Sequence, residues 1–136
     1  MPSYHFVDDL AFREGKLSLL VVELLQGEPD GVIGLPLVKR PESHRFRVEF
    51  SCIGHFKVGP EPFANISSNA IKQTDFLYCE PESQYLRDLA DSVSTFPMSR
   101  PWPENPVVRH YVVYAENFVL EVLAAVEPST QEVVNA

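Results

Sequence analysis

Apolar and polar residues alternate over residues 45–58, RFRVEFSCIGHFKV. Phe46, Val48, Phe50, Cys52, Phe56 and Val58 share one side of a two-residue period, and Arg45, Arg47, Glu49, Ser51, His55 and Lys57 share the other. The pattern predicts one long strand, buried on its Phe-rich face and polar on the other except at Ile53. Gly54 is the gap in the apolar face and predicts a bend or bulge that lets the strand curl over its core.

The same reasoning extends along the chain. Tyr4, Phe6, Leu10 and Phe12 alternate around Asp8 and Asp9, which predicts an edge strand kept soluble by charge. Residues 16–25 are apolar on both parities and also satisfy helical spacing, but the adjacent Val21 and Val22 favour a strand. Glycines and prolines interrupt residues 26–43 too densely for a long element, leaving room for a short edge strand within 32–38. Residues 69–79 alternate again and predict a further strand.

Over residues 83–93 the period changes. Tyr85, Leu86, Leu89, Ala90 and Val93 fall on one helical stripe, with Gln84, Arg87, Asp88 and Asp91 opposite, which predicts a short amphipathic helix capped by Glu80 or Ser83. Residues 95–106 carry four prolines and form a long connection. Residues 107–114 and 118–126 are apolar at most positions and predict a hairpin, with Asn117 in the left-handed position of its turn. The end, residues 129–136, reads as a frayed tail. The expected fold is one α+β domain over residues 1–128: a mostly antiparallel, curled sheet of about five to seven strands with one short helix against it.

Composition narrows the function classes. With 45% hydrophobic and 22% charged residues the chain has enough apolar material for a packed core. A formal charge of −8 repels phosphate backbones and argues against general nucleic-acid binding, while it attracts a basic protein partner or simply confers solubility. Cys52 and Cys79 lie in apolar runs and read as buried thiols of a reducing compartment, although a disulfide between neighbouring strands remains open. The first residues lack a signal-peptide pattern, and no apolar run suffices for a membrane helix, so the expected location is cytoplasmic.

Candidate chemistry is sparse. His5, His44, His55 and His110 stand singly without a second ligand at metal-binding spacing, so neither a metal nor another cofactor is expected. No Gly-x-Ser-x-Gly or glycine-rich phosphate loop occurs, the cysteines lie where burial makes a thiol inert, and Asp8 and Asp9 point to opposite faces of a strand. Lys39, Arg40, His44, Arg45 and Arg47 form a basic cluster, either an anion or acidic-partner site or a charge-balanced edge. Trp102, held between Pro101 and Pro103, is either a rigid contact residue or a lid on the core. His55 and His110 come within reach of one another if their strands are neighbours.

In the C-terminal hairpin, RHYVVYAENFVLEVLAAVEP, the order His110-Tyr111, Glu116-Asn117, Glu121-Val122-Leu123-Ala124 and Glu127-Pro128 resembles the closing hairpin of small bacterial proteins that include immunity proteins of toxin systems. The YCEPESQYLRDL segment resembles the same group. The likeness covers about the last fifth of the chain and implies binding of a protein partner without catalysis; it assigns no residue a role. The leading expectation is thus a non-enzymatic protein-binding protein, with Trp102, Arg45, Arg47, His55 and His110 as candidate binding residues. Its alternatives are a ligand carrier or small enzyme with a pocket between sheet and helix, and a self-associating subunit, such as a homodimer.

Overall fold

In a computed structural model of the chain, residues 4–26, 37–59, 70–81, 83–89 and 107–133 are described. They form, in chain order, β1 (Tyr4–Arg13), β2 (Lys16–Gln26), β3 (Leu37–Val38), β4 (Arg45–Phe50), β5 (Ile53–Gly59), β6 (Ile71–Lys72), β7 (Leu77–Glu80), α1 (Gln84–Asp88), β8 (Arg109–Tyr114), β9 (Val119–Ala124) and β10 (Ser129–Glu132). Every pairing is antiparallel. The first sheet runs β1-β2-β4-β10, with β3 on the end of β2, and the second runs β5-β9-β8-β7-β6. The mostly antiparallel character and the short helix agree with the sequence pattern. Two five-stranded sheets replace the single curled sheet of five to seven strands.

The reason lies at Cys52. Its φ of 52° puts the backbone in the left-handed region, so the chain turns a corner there. β4 stops at Phe50 in the first sheet and β5 starts at Ile53 in the second. The predicted strand over residues 45–58 is therefore two strands. The Cys52 carbonyl accepts the Ala125 N–H at 2.9 Å, which ties the corner to the end of β9. The register of β5 on β9 slips between Ile53 and His55, so the bulge expected at Gly54 is present as well.

Both sheets turn their alternate apolar residues toward one core. Leu17, Leu19, Val21, Val48 and Phe50 from the first meet Ile53, Leu77, Tyr111, Val113, Leu120 and Val122 from the second. Aromatic pairs bridge the gap: Phe46 to Phe76 at 5.4 Å and Phe50 to Tyr111 at 6.0 Å between ring centroids. Cys52 and Cys79 are buried free thiols, and burial pushes the Cys79 thiol above its ordinary range. His5 also faces this core, its ring 5.0 Å from that of Phe76, and burial holds it below the usual histidine value.

β1 is the edge strand its acids suggested, with Asp8 and Asp9 exposed beside a slip in register after Val7. Its hairpin to β2 closes over Glu14 and Gly15, both at positive φ, as a two-residue type I′ turn requires. Asn117 does not take the left-handed backbone expected of it. Its side chain instead accepts the Val7 N–H at 3.0 Å and donates to the Val7 carbonyl at 2.9 Å, supplying backbone-like pairing where the β1 ladder is disturbed.

Two further expectations are corrected. The strand expected over residues 69–79 is, from Ile71 on, a β6–β7 hairpin, because Thr74 accepts the N–H groups of Phe76 and Leu77 on its hydroxyl and turns the chain. Ser129–Glu132 is not frayed: it pairs with β4 from Glu49 to Phe46. Residues 90–93 of the expected helix and residues 32–36 of the expected edge strand lie outside the described residues. No helix among those described is long and apolar enough to cross a membrane.

β10 carries a pH dependence. His44 pairs with Glu132 at the surface, and the Glu132 hydrogen bond and charge hold its imidazolium above the usual histidine value of 6.5. A raised folded-state pKa stabilises fully below the unfolded value and is lost as pH rises through the folded one. Amide exchange of Thr130–Glu132, corrected for intrinsic rates, is therefore expected to quicken as pH rises from 6.5 through the higher folded-state value. A His44→Asn variant should show no such step, and an equal step in that variant would remove the pair as its cause.

Candidate functional site

The face of the second sheet turned away from the core is where polar chemistry collects. Tyr111, Val113, Leu120 and Val122 point inward, so the alternate residues His110 on β8 and Glu121 on β9 point out. β5 adds His55 and Lys57 on the same side. The register fixes their spacing: His55 and His110 both oppose Leu123, and Lys57 opposes Glu121. The two histidines thus flank one buried leucine across three adjacent strands.

α1 crosses this face. Ser83 caps it, accepting the Leu86 N–H at 2.9 Å on its hydroxyl, the choice between Glu80 and Ser83 that periodicity left open. The same hydroxyl lies 2.7 Å from His110 Nδ1, and the Glu121 carboxylate, which only accepts, takes the His110 Nε2 hydrogen at 3.1 Å; with the ring's proton on Nε2, the Ser83 hydroxyl donates to Nδ1. The His110 hydrogen bond, aided by Lys57 Nζ at 3.5 Å, holds Glu121 below the ordinary glutamate range despite burial, so the carboxylate stays ionised.

Tyr85 sits between the two histidines. Its ring lies edge-on to both, with centroids 5.5 Å from His55 and 5.2 Å from His110, and Lys57 Nζ stands 4.3 Å from its centroid. Its hydroxyl bonds His55 Nδ1. Burial, reinforced by Glu121, pushes the phenol far above its ordinary pKa, so it stays protonated.

The order serine, histidine, carboxylate is that of a nucleophilic relay, but the surroundings give it another role. Ser83 is buried, has an ordinary extended backbone at φ −101° and ψ 113°, and its hydroxyl already holds the helix start. Both nitrogens of His110 are engaged, by Ser83 and by Glu121. The chain of contacts from Ser83 to His55 fastens a helix of five residues to the sheet, which so short a helix requires to persist.

Beside this fastening, where β7 leads into α1 and residues 107–108 enter β8, lies a cavity of about 350 Å³. Ile71, Leu86, Val107 and Val108 give it apolar walls, and Glu80, Ser83, Arg109 and His110 its polar ones. Ile71 and Val107 are 54% and 63% exposed, the most exposed large hydrophobic side chains among the described residues. Glu80, by contrast, is 8% exposed.

The candidates drawn from the sequence divide three ways. His55 and His110 are brought to one face although their strands are not neighbours, since β9 lies between β5 and β8. Arg45 and Arg47 lie on the other sheet, away from the core, because the corner at Cys52 separates them from His55 and Lys57. The Arg45 guanidinium donates to the carbonyls of Ser43 at 3.0 Å and Arg40 at 3.3 Å, and Arg47 donates to the Ser18 hydroxyl at 3.2 Å. Around them Lys39 pairs with Asp8, Arg40 with Glu42 and His44 with Glu132, so the basic cluster is matched by acids. Trp102 and its proline loop lie outside the described residues. Glu80, Ile71 and Val107 carried no site signal, since an exposed isoleucine or valine in a strand pattern reads like a core one.

Comparison with models of protein families, with curated proteins and with solved structures finds no match.

Proposed function

We propose that this protein works by binding a protein partner, and that the cavity between α1 and the start of β8 is its recognition site. The observation that carries the reading is the rim: two large aliphatic side chains stand more than half exposed beside a concave, mostly apolar recess. Exposed apolar groups around a pocket are the usual setting of an interface hot spot, in which one anchor side chain is desolvated. The charge of −8 favours a basic partner and speeds its encounter. A toxin with a basic surface, neutralised without catalysis, is the partner class suggested by the C-terminal hairpin's resemblance to immunity proteins.

Affinity capture from the native host tests the reading. A double variant, Ile71→Asp with Val107→Asp, is expected to lower retention of the wild-type partner about 30-fold or more, as loss of a hot spot does. Val58→Asp, at a 49% exposed position on β5, should leave it unchanged. Equal recovery by all three proteins would remove the cavity from the interface.

A second reading has one observation in its favour: about 350 Å³ also falls in the range of small-molecule pockets. It predicts that neither bait retains a protein and that a metabolite raises the melting temperature.

A further inference from the structure

We propose that a second copy of this chain docks on the seam between β1 and β5, so that β1 of each copy pairs with β5 of the other. The two sheets end at β1 and β10 and at β5 and β6. β6 and β10 are two and four residues long, whereas β5 has seven, and among the described residues it pairs with β9 alone. A free edge of that length is a template for another strand. Beside it Val58 is 49% and Phe12 42% exposed, and the Phe12 ring lies 5.4 Å from that of Phe56. An apolar strip thus follows the seam where the core comes to the surface.

Strand direction decides which partner fits. Near its start β1 is plugged: the Glu116 N–H donates to the His5 carbonyl at 2.7 Å, and the Asn117 side chain holds Val7. That turn leads into Val119, which opposes Gly59 at the end of β5, whereas Phe12, late in β1, reaches Phe56. β1 and β5 therefore run in opposite directions along the seam. A two-fold axis parallel to the strands keeps both directions and exchanges the sheets, so β1 meets β5 of the second copy antiparallel, twice over. Leu10 and Phe12 come level with Val58 and Phe56 of that copy, all on the core side, and residues 9–13, past the plug, are the part of β1 left to pair. On the outer side the exposed carboxylate of Asp9 comes diagonal to the exposed Lys57 of the second copy, so the two edges match in charge as well as in apolar contact. Pairing β5 with itself would instead set Lys57 opposite His55 and leave Phe12 outside the ladder.

Sedimentation equilibrium of the whole chain tests this. The wild type is expected at twice the chain mass at about 0.5 mM and to dissociate on dilution. Val58→Asp should weaken association about 30-fold or more, and Gln131→Asp, the same charge placed on β10, should leave it unchanged. Val58 stands on the edge opposite the Ile71 and Val107 rim, so its variant separates the seam from partner capture. Asp9→Lys lowers the net negative charge yet should weaken the dimer about tenfold, because it sets like charges side by side. In the wild type, amides within residues 9–13 and 55–59 should exchange more slowly in concentrated than in dilute protein, a comparison that decides even if a variant fails to fold. A monomer at the upper concentration, a dimer kept by Val58→Asp or exchange independent of concentration would overturn the seam. A dimer of full strength in Asp9→Lys would overturn the pairing of β1 with β5.

Discussion

Phe50→Ala is expected to lower the unfolding free energy by about 3–5 kcal/mol, a large part of what holds a domain of this size together. Phe50 is fully buried at the last position of β4, beside the corner, with its ring against Tyr111 of the opposite sheet. Truncation leaves a void between two sheets that the corner at Cys52 and the ladders on either side keep from closing. The contrast with Val58→Ala makes the argument local: half exposed on the edge strand β5, that change should stay within about 0.5 kcal/mol. Urea denaturation measures both. A loss below about 1.5 kcal/mol at Phe50 would mean that the sheets relax onto one another, contrary to a rigid interface.

Ser83→Ala should come second, at about 2–4 kcal/mol, and should act on α1 before the rest of the fold. One hydroxyl holds both the helix start, through Leu86 N–H, and the Nδ1 of buried His110. Its removal combines loss of a cap, typically about 1 kcal/mol, with a buried acceptor left without its donor, about 1–3 kcal/mol. Hydrogen exchange at Leu86 and Arg87 should rise first, and the His110 nitrogen shifts should lose the signature of a proton fixed on Nε2. Ser83→Thr keeps the hydroxyl and should retain most of the protection. Equal losses in the two variants would show that backbone crowding, and not the hydroxyl, sets the stability of α1.

Most of the strands could be read from period alone, because both sheets bury one face and alternation is the direct consequence. The terminal hairpin, the charged edge strand and the Gly54 bulge all followed from local chemistry. The corner at Cys52 did not. Apolar alternation runs straight through it, since the strand before and the strand after face the same core from opposite sides, and the left-handed backbone is taken by a cysteine where glycine or asparagine would have marked it. β10 was hidden for a different reason: its four residues are all exposed, so it pairs through its backbone and offers no apolar pattern.

The candidate site was legible in half. His55 was named from the polar face of its strand and His110 from the terminal hairpin, and the registers of β5 and β8 on β9 bring them to one face; Tyr85, which joins them, belongs in the sequence to the apolar stripe of the helix. The recess beside them was not legible, because it is made by the meeting of β6, β7, α1 and the entry to β8, elements distant in sequence. Glu80 in particular ends an apolar strand ahead of Pro81, where an acid reads as the start of a loop.

The position of β10 also bears on how the chain is made. Glu49 meets Ser129, 129 − 49 = 80 positions later, so the free edge of β4 leaves the ribosome long before its partner does. At ordinary rates of synthesis that interval is roughly 4–16 s, during which a half-built sheet presents an open ladder to any other nascent strand. Arg45, Arg47 and Glu49 stand on that strand, and alternating charges of this kind discourage intermolecular pairing. Their place in the sequence is then explained by the unfinished protein as much as by the finished one.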